Sequence, residues 1–239
     1  MEKDKVLLTI AARGGSKGVK NKNLKPLCGS PLIAHTIKQA KRWGGADRII
    51  CSTDSLEIAK AAKEFGAEVP FMRPAELADD LTGKPEVIRH ALAEMEKISG
   101  EKYAMVVDLD ATAPIRRIED IEGAYRLFLK QRPKSVFSVT NCRRNPYFNM
   151  VEVTPEGYAV LAKKLAAGVK RRQDAPRVYD MNASIYVYDR DYLLDRDTRS
   201  AISDRSLVYV MDELSAFDID TETDFQFVEF LVSKGWVSI

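Results

Sequence analysis

Val6-Leu7-Leu8-Thr9-Ile10-Ala11-Ala12-Arg13-Gly14-Gly15-Ser16-Lys17-Gly18 decides the fold. Its opening five residues are the apolar run of a strand buried on both faces, which is the signature of a parallel sheet. The turn that follows is rich in glycine, where backbone can approach a ligand closely and adopt positive φ. From Arg13 to Lys25 there are five basic residues and no acidic one. Backbone N–H groups, a hydroxyl and long cations in one loop suit a polyphosphate. In open α/β sheets the ligand crevice lies at the carboxyl ends of the strands, which is where this loop begins. The alternative reading is a flexible basic connector.

Two familiar motifs do not fit. No Gly-Lys-Ser/Thr follows at the Walker interval. Gly14-Gly15-Ser16-Lys17-Gly18 has the letters of a hydrolase nucleophile elbow, but Asn21, Asn23, Pro26 and Gly29 prolong the loop instead of turning it into a helix. That elbow also needs a late histidine, and the only ones are His35 and His90.

Outward from this loop the βαβ rhythm repeats. Ser30-Pro31 reads as a helix N-cap and first helical position, opening a helix over Leu32–Trp43. A strand over Arg48–Thr53, a helix over Leu56–Phe65 and a brief strand over Glu68–Phe71 follow. Met72–Lys84 is irregular. Pro85 then opens a helix to Ile98, Tyr103–Leu109 is a central strand, Ile118–Gln131 a helix and Lys134–Thr140 a strand. The rhythm breaks at Asn141. Residues 145–153 and 158–161 look extended about a turn at Pro155-Glu156-Gly157, and a basic loop runs from Lys163 to Arg177. Strands over Asn182–Tyr188 and Leu207–Val210 and a helix over Asp224–Lys234 complete the pattern. The chain therefore reads as a single α/β domain over 1–239, with an insertion at about 141–177.

With 45% hydrophobic and 30% charged residues, the composition is that of a soluble globular protein. No stretch reads as a signal peptide or a membrane span. Cys28, Cys51 and Cys142 are odd in number and widely spaced, so the expectation is a reduced, cytoplasmic protein. A net charge of +2 does not argue for nucleic acid. Opposite charges are interspersed, and with a Debye length of about 8 Å the local cluster in the loop outweighs the total.

The second chemical feature is Phe217-Asp218-Ile219-Asp220-Thr221-Glu222. Residues two apart in an extended segment face the same way, so both carboxylates can meet one cation. Mg²⁺ commonly takes one or two carboxylates plus substrate phosphates. The alternative is a pair of surface carboxylates before a helix that Thr221 caps. Asp108-Leu109-Asp110 ends the central strand where carboxylates face the crevice, and Arg116 reads either as an anion contact or as a solvated helix-start residue. Arg73-Pro74-Ala75-Glu76-Leu77 and the loop to Lys84 lie on the same side. Arg171-Arg172-Gln173 is a candidate anion clamp.

Together these segments resemble the acylneuraminate (nonulosonate) cytidylyltransferase family, of the CMP-sialic acid synthetase type. The resemblance runs through Arg13–Gly18, Lys22-Asn23, Ser52-Thr53-Asp54, Arg73–Leu77, Arg172-Gln173, Asn182, Ile185-Tyr186 and Asp218–Glu222. It implies a Rossmann-like (GT-A-like) three-layer α/β sandwich with a mostly parallel central sheet and a small dimerisation insertion. It also implies that CTP and a nine-carbon 2-keto sugar acid give the CMP-sugar and pyrophosphate. By the same resemblance Arg13, Gly15, Ser16, Lys17, Lys22, Asn23 and Arg73 hold the nucleotide, and Asp218 and Asp220 hold Mg²⁺. Arg13 and Lys22 join that pair as catalytic residues. Asp110, Arg172, Gln173, Asn182 and Tyr186 belong to the sugar end, and a homodimer is expected, with the insertion reaching the partner.

The chain departs from the family pattern at three places. Asp110 stands where glutamine is usual, Lys84 where serine is common, and Ala183 where glycine is usual. The Asp-Leu-Asp segment resembles the legionaminic acid branch, implying a 5,7-diamino nonulosonate or a deaminated analogue. Two alternatives remain: another sugar nucleotidyltransferase such as the KDO type, and a noncatalytic nucleotide-binding homologue.

Overall fold

The computed structural model describes residues 4–16, 18–79, 81–166 and 168–239. Lys17, one of the expected nucleotide ligands, lies outside the described residues.

In chain order the elements are β1 (Val6–Ala11), β2 (Pro26–Leu27), β3 (Ser30–Pro31), α1 (Leu32–Trp43), β4 (Arg48–Ser52), α2 (Leu56–Phe65), α3 (Lys84–Ser99), β5 (Met105–Leu109) and α4 (Ile118–Gln131). The second half holds β6 (Ser135–Asn141), β7 (Val151–Val153), β8 (Ala159–Leu161), β9 (Tyr179–Asp189), α5 (Arg190–Leu194), β10 (Ser206–Val210) and α6 (Glu222–Ser233). Six strands form one sheet in the order β10-β6-β9-β5-β1-β4. All neighbours are parallel except β9, which runs antiparallel to β5 and β6.

The sheet is covered on both faces, as its apolar strands require. Leu8 and Ile10 of β1, Val107 and Leu109 of β5 and Ile185 and Val187 of β9 pack against α1, α2 and α4. The alternate residues Leu7, Val106, Tyr186 and Tyr188 pack against α3 and α5. This is the period-two division of a buried sheet, and it gives three layers. A third cluster, in which Ile219 meets Phe225, Val228 and Leu231, seats α6 beside Leu27 and Leu32.

Strand β1 has β4 on one side and β5 on the other, so the chain order reverses there and a crevice opens above their carboxyl ends. The basic loop leaves β1 and the Asp110 loop leaves β5 at this point. Thr9 Oγ1 donates to Asp108 Oδ1 at 2.6 Å across the same strand pair.

Three local expectations are corrected. Ser30-Pro31 is not a cap but the return arm of a tight hairpin with Pro26–Leu27; Pro31 is the N-cap of α1 and makes no side-chain capping bond. Cys28 and Gly29 turn that hairpin with φ of 48° and 83°, the all-positive geometry of a two-residue turn. Glu68–Phe71 is not a strand, only a single bridge from Glu68 to Ile50. Within 145–153 only Val151–Val153 is a strand; Asn145 instead folds a turn, its carbonyl accepting from the N–H groups of Phe148, Asn149 and Met150. β7 and β8 pair only with each other, so the segment between β6 and β9 projects a separate hairpin.

Candidate active site

The crevice holds a cavity of about 530 Å³ lined by Arg13, Ser16, Gly18, Lys22, Asn23, Arg73 and Asp220, and on its other wall by Leu77, Asp79, Thr82, Lys84, Val87 and Thr112. The basic loop and the Asp-x-Asp segment thus meet in one cavity although some 200 residues separate them in sequence.

The loop is anchored at each turn. Ala12 N donates to Ser52 O at 3.0 Å and Gly14 N to Asp54 Oδ1 at 2.9 Å, which explains the use of Ser52-Thr53-Asp54 after β4. Arg13 Nη1 reaches Asp79 O at 2.8 Å, while Asn23 Nδ2 donates to Arg13 O at 3.1 Å. Asn23 Oδ1 is left buried with no protein partner among the described residues. Lys22 Nζ donates to Ile219 O at 2.5 Å and to Asp220 Oδ1 at 3.2 Å, tying the loop to the acidic segment. Gly18 seals that contact. A Cβ there would sit 2.0 Å from the Asp220 carbonyl oxygen, so no other residue fits without moving one backbone from the other. Gly15, by contrast, faces open space and does not line the cavity.

Arg73 is buried, with Nε donating to Ser52 Oγ at 3.1 Å and Nη2 bonded to Ser52 O. Burial lowers its affinity for its proton, while the charge of Asp54 opposes that. The opposite wall is shaped by Asp79, whose Oδ1 accepts from Leu81 N, Thr82 N and Thr82 Oγ1.

Asp218 and Asp220 divide in environment. Asp220 is exposed, whereas Asp218 Oδ1 is buried and without a partner. Burial, then the charge of Asp110, raise the Asp218 carboxyl above the usual aspartate range. An unpaired buried carboxylate oxygen beside a second carboxylate is a donor set that a hard divalent cation satisfies. Among the described residues no group of three or more His, Cys, Asp or Glu is placed to hold a metal ion. Thr221 is also the N-cap of α6, exchanging bonds with Asp224 (Thr221 N to Oδ2 2.7 Å; Asp224 N to Thr221 Oγ1 3.2 Å). The cap uses Thr221 and leaves the side chains of Asp218 and Asp220 outside it, Asp220 being paired with Lys22 instead.

At the floor of the cavity is a cluster that sequence spacing does not announce. Lys84 Nζ lies 2.5 Å from Asp110 Oδ2, 3.2 Å from Asp108 Oδ2 and 4.7 Å from the centre of the Tyr186 ring. Burial alone would weaken the Lys84 ammonium, but Asp110 and Asp108 outweigh it and hold its pKa well above the lysine range. Burial likewise pushes Asp110 up, and Lys84 with Thr112 reverses this, leaving Asp110 lowered. Removing one member of such a cluster typically costs about 3–5 kcal/mol, because the others stay buried and unpaired.

The other expected sugar residues are placed differently. Arg172 and Gln173 line a second cavity of about 710 Å³, with Cys142, Asn145, Tyr179 and Glu213, which shares no residue with the first. Within one chain they are not brought to the nucleotide cavity. Asn182 is buried: Oδ1 accepts from Ser138 Oγ at 2.6 Å and Nδ2 donates to Ser215 O at 3.1 Å, so it ties β9 to β6 and to the 213–216 turn. Tyr186 is buried under Lys84. Arg116 is not the solvated helix-start residue of one expectation: it is buried, with Nη2 bonded to the carbonyls of Asp110 and Ala113 and with Nε and Nη1 lacking a partner among the described residues.

Val87 and Thr112 enter the site unannounced, whereas Leu77 and Thr82 come from the stretch between Arg73 and Lys84 already expected on this side. The profile of the cytidylyltransferase family matches residues 7–231. The chain belongs to the cytidylyltransferase family. This cytidylyltransferase is 45% identical over 228 residues, 95% of each chain, to the CMP-N,N'-diacetyllegionaminic acid synthase of Campylobacter jejuni. It is 44% identical to the post-translational flagellin modification protein B of Campylobacter coli, covering 96% of this chain and 95% of that one. Among solved structures, a CMP:2-keto-3-deoxy-manno-octonic acid synthetase complexed with CTP superposes with a TM-score of 0.71 at 18% identity, over 97% of this chain and 99% of that one. That likeness bears out the three-layer nucleotidyltransferase fold.

Proposed function

We propose that this cytidylyltransferase activates a nonulosonic acid of the N,N'-diacetyllegionaminic type with CTP, yielding the CMP-sugar and pyrophosphate. The observation that carries the reading is the closure of Arg13, Ser16, Lys22 and Asn23 against Asp220 around one cavity. The relatives' activities favour the same reading.

Arg13, Ser16, Lys22 and the cavity-facing Arg73 receive the triphosphate, their charges opposing those of the phosphates. Asn23 Oδ1, a buried acceptor lacking a donor, takes a hydrogen bond from the nucleoside. The anomeric hydroxyl of the sugar attacks the α-phosphorus, a new P–O bond forms and the bond to pyrophosphate breaks. Charge grows at the phosphoryl oxygens in that step, and fixed cations placed beforehand lower its barrier. Asp218 and Asp220 would hold Mg²⁺, which would supply further charge neutralisation in that step. Lys22, bonded to Ile219 O and Asp220, holds the acidic segment at the distance the phosphates require. Arg172 and Gln173, remote from the cavity of their own chain, serve a homodimer in which the inserted segment approaches the partner.

The reading is tested by following pyrophosphate release from CTP with diacetyllegionaminic, N-acetylneuraminic, deaminated and octulosonic acids in turn. The highest kcat/KM should fall to a nonulosonic acid. Preference for the eight-carbon acid would point to the KDO type, and tight CTP binding without turnover on any acid would make the chain a nucleotide-binding homologue.

A further inference from the structure

We infer that Lys84, rather than Asp110, is the side chain that selects the sugar, by donating a hydrogen bond to the carbonyl of an N-acyl substituent. The inference rests on the cytidylyltransferase reading above and names the acceptor contact within it.

Every carboxylate oxygen of the floor cluster is already engaged. Asp108 accepts from Thr9 through Oδ1 and from Lys84 through Oδ2. Asp110 accepts from Thr112 N and Oγ1 through Oδ1, at 3.1 and 2.9 Å, and from Lys84 through Oδ2. An ammonium has three donors, and these contacts use two. The third has no hydrogen-bond acceptor among the described residues, only the face of the Tyr186 ring at 4.7 Å, and Lys84 lines the cavity whereas Asp108 and Asp110 do not.

Charge and shape say which group that donor meets. Lys84 and the buried Arg116 stand against Asp108 and Asp110, so the cluster is close to charge-balanced and a neutral acceptor suffices for the remaining donor. Val87, one helical turn beyond Lys84, and Leu77 present apolar surface on the same cavity wall. A donor beside apolar surface matches an acetamido group, whose carbonyl takes the proton while its methyl covers Leu77 and Val87. A bare hydroxyl satisfies only the first half. Asp108 and Asp110 are then positioning residues that fix the ammonium.

The test uses the full chain with CTP and Mg²⁺, and compares an N-acetylated nonulosonic acid with its deaminated, 5-hydroxyl counterpart. Lys84→Met should raise KM for the acetylated acid roughly tenfold to a hundredfold, as expected for loss of a hydrogen bond from a charged donor. Preference over the deaminated acid should collapse, while CTP affinity by calorimetry stays within twofold. Because Lys84→Met strands two buried carboxylates, Lys84→Met/Asp108→Asn/Asp110→Asn is measured beside it and should show the same loss of preference with a melting temperature above that of Lys84→Met alone. Lys84→Arg should restore part of the preference. Unchanged discrimination in a folded variant, or a loss confined to CTP, would overturn the assignment to Lys84 alone. No turnover by the unaltered chain with any nonulosonic acid would overturn the functional reading and this inference together.

Discussion

The nucleotide cavity and the inserted segment are built on opposite principles. In the cavity the loop is closed on itself and on two distant segments. Gly14 is held by Asp54, Asn23 by Arg13 O, and Lys22 by Ile219 and Asp220, with Gly18 packed on backbone. The β7–β8 hairpin pairs only with itself, and Val153 and Tyr158 are 70% and 73% exposed. Apolar surface of that kind marks an interaction face. One chain gathers its basic loop and acidic segment around a single cavity, while Arg172 and Gln173 line a separate one, which on the proposed reading a second copy completes.

Breaking the first half should cost most. Asp220→Ala is expected to reduce kcat about a thousandfold with the fold intact, since it removes charge compensation at the reacting phosphate. Stopped activity assays and circular dichroism check this together. Gly18→Ala comes next, because its Cβ must push the loop from the Asp220 carbonyl. Displacement of about 1 Å is worth roughly a hundredfold in kcat/KM.

Breaking the second half should act only through assembly. Val153→Asp with Tyr158→Asp is expected to convert a dimer to a monomer by light scattering. It should lower kcat/KM for the sugar about tenfold with CTP affinity unchanged. Equal loss for CTP would erase the contrast between the halves.

Two smaller effects concern the scaffold that both halves share. Burial pushes the Glu96 carboxyl up, but bonds from Arg190 (Nε 2.7 Å, Nη2 2.8 Å) and Tyr103 N outweigh it and leave its pKa below the ordinary value near 4.5. A depressed carboxylate contributes stability that is present above that value and lost as pH falls through the lower folded one. Glu96→Gln should therefore flatten the acid limb of the stability profile and cost about 1–2 kcal/mol at pH 7 in urea titrations. Ala183 adopts φ +50° in β9, next to the register shift between Phe137 and Val139. Ala183→Gly should stabilise by about 1 kcal/mol, because glycine enters that region without a Cβ clash.

Periodic elements were legible in the sequence. The helices over Leu32–Trp43 and Leu56–Phe65 have the boundaries their apolar spacing and following glycines announce, and Ile118–Gln131 also keeps its expected bounds. Helix α5, five residues long, is too short to show a period. Ser30-Pro31 misleads because its letters match a helix start, while the pairing that wins depends on the positive φ of Cys28 and Gly29. Of the site, composition exposed the two charged ends, since a run of lysines and an Asp-x-Asp are local patterns. The capture of Lys84 by Asp108 and Asp110 depends on tertiary neighbours 24 and 26 residues away, which no spacing rule encodes. Asn182 likewise resembles a ligand contact by its place in the chain, yet its amide is consumed by Ser138 and Ser215.

The most direct measurement is the mass of the products formed from CTP and N,N'-diacetyllegionaminic acid by the wild-type chain and by Asp220→Ala. The account predicts the CMP-sugar and pyrophosphate in equal amounts from the first and neither from the second. Wild-type yields from Asp220→Ala, or CTP bound by the wild-type chain without any CMP-sugar, would contradict it.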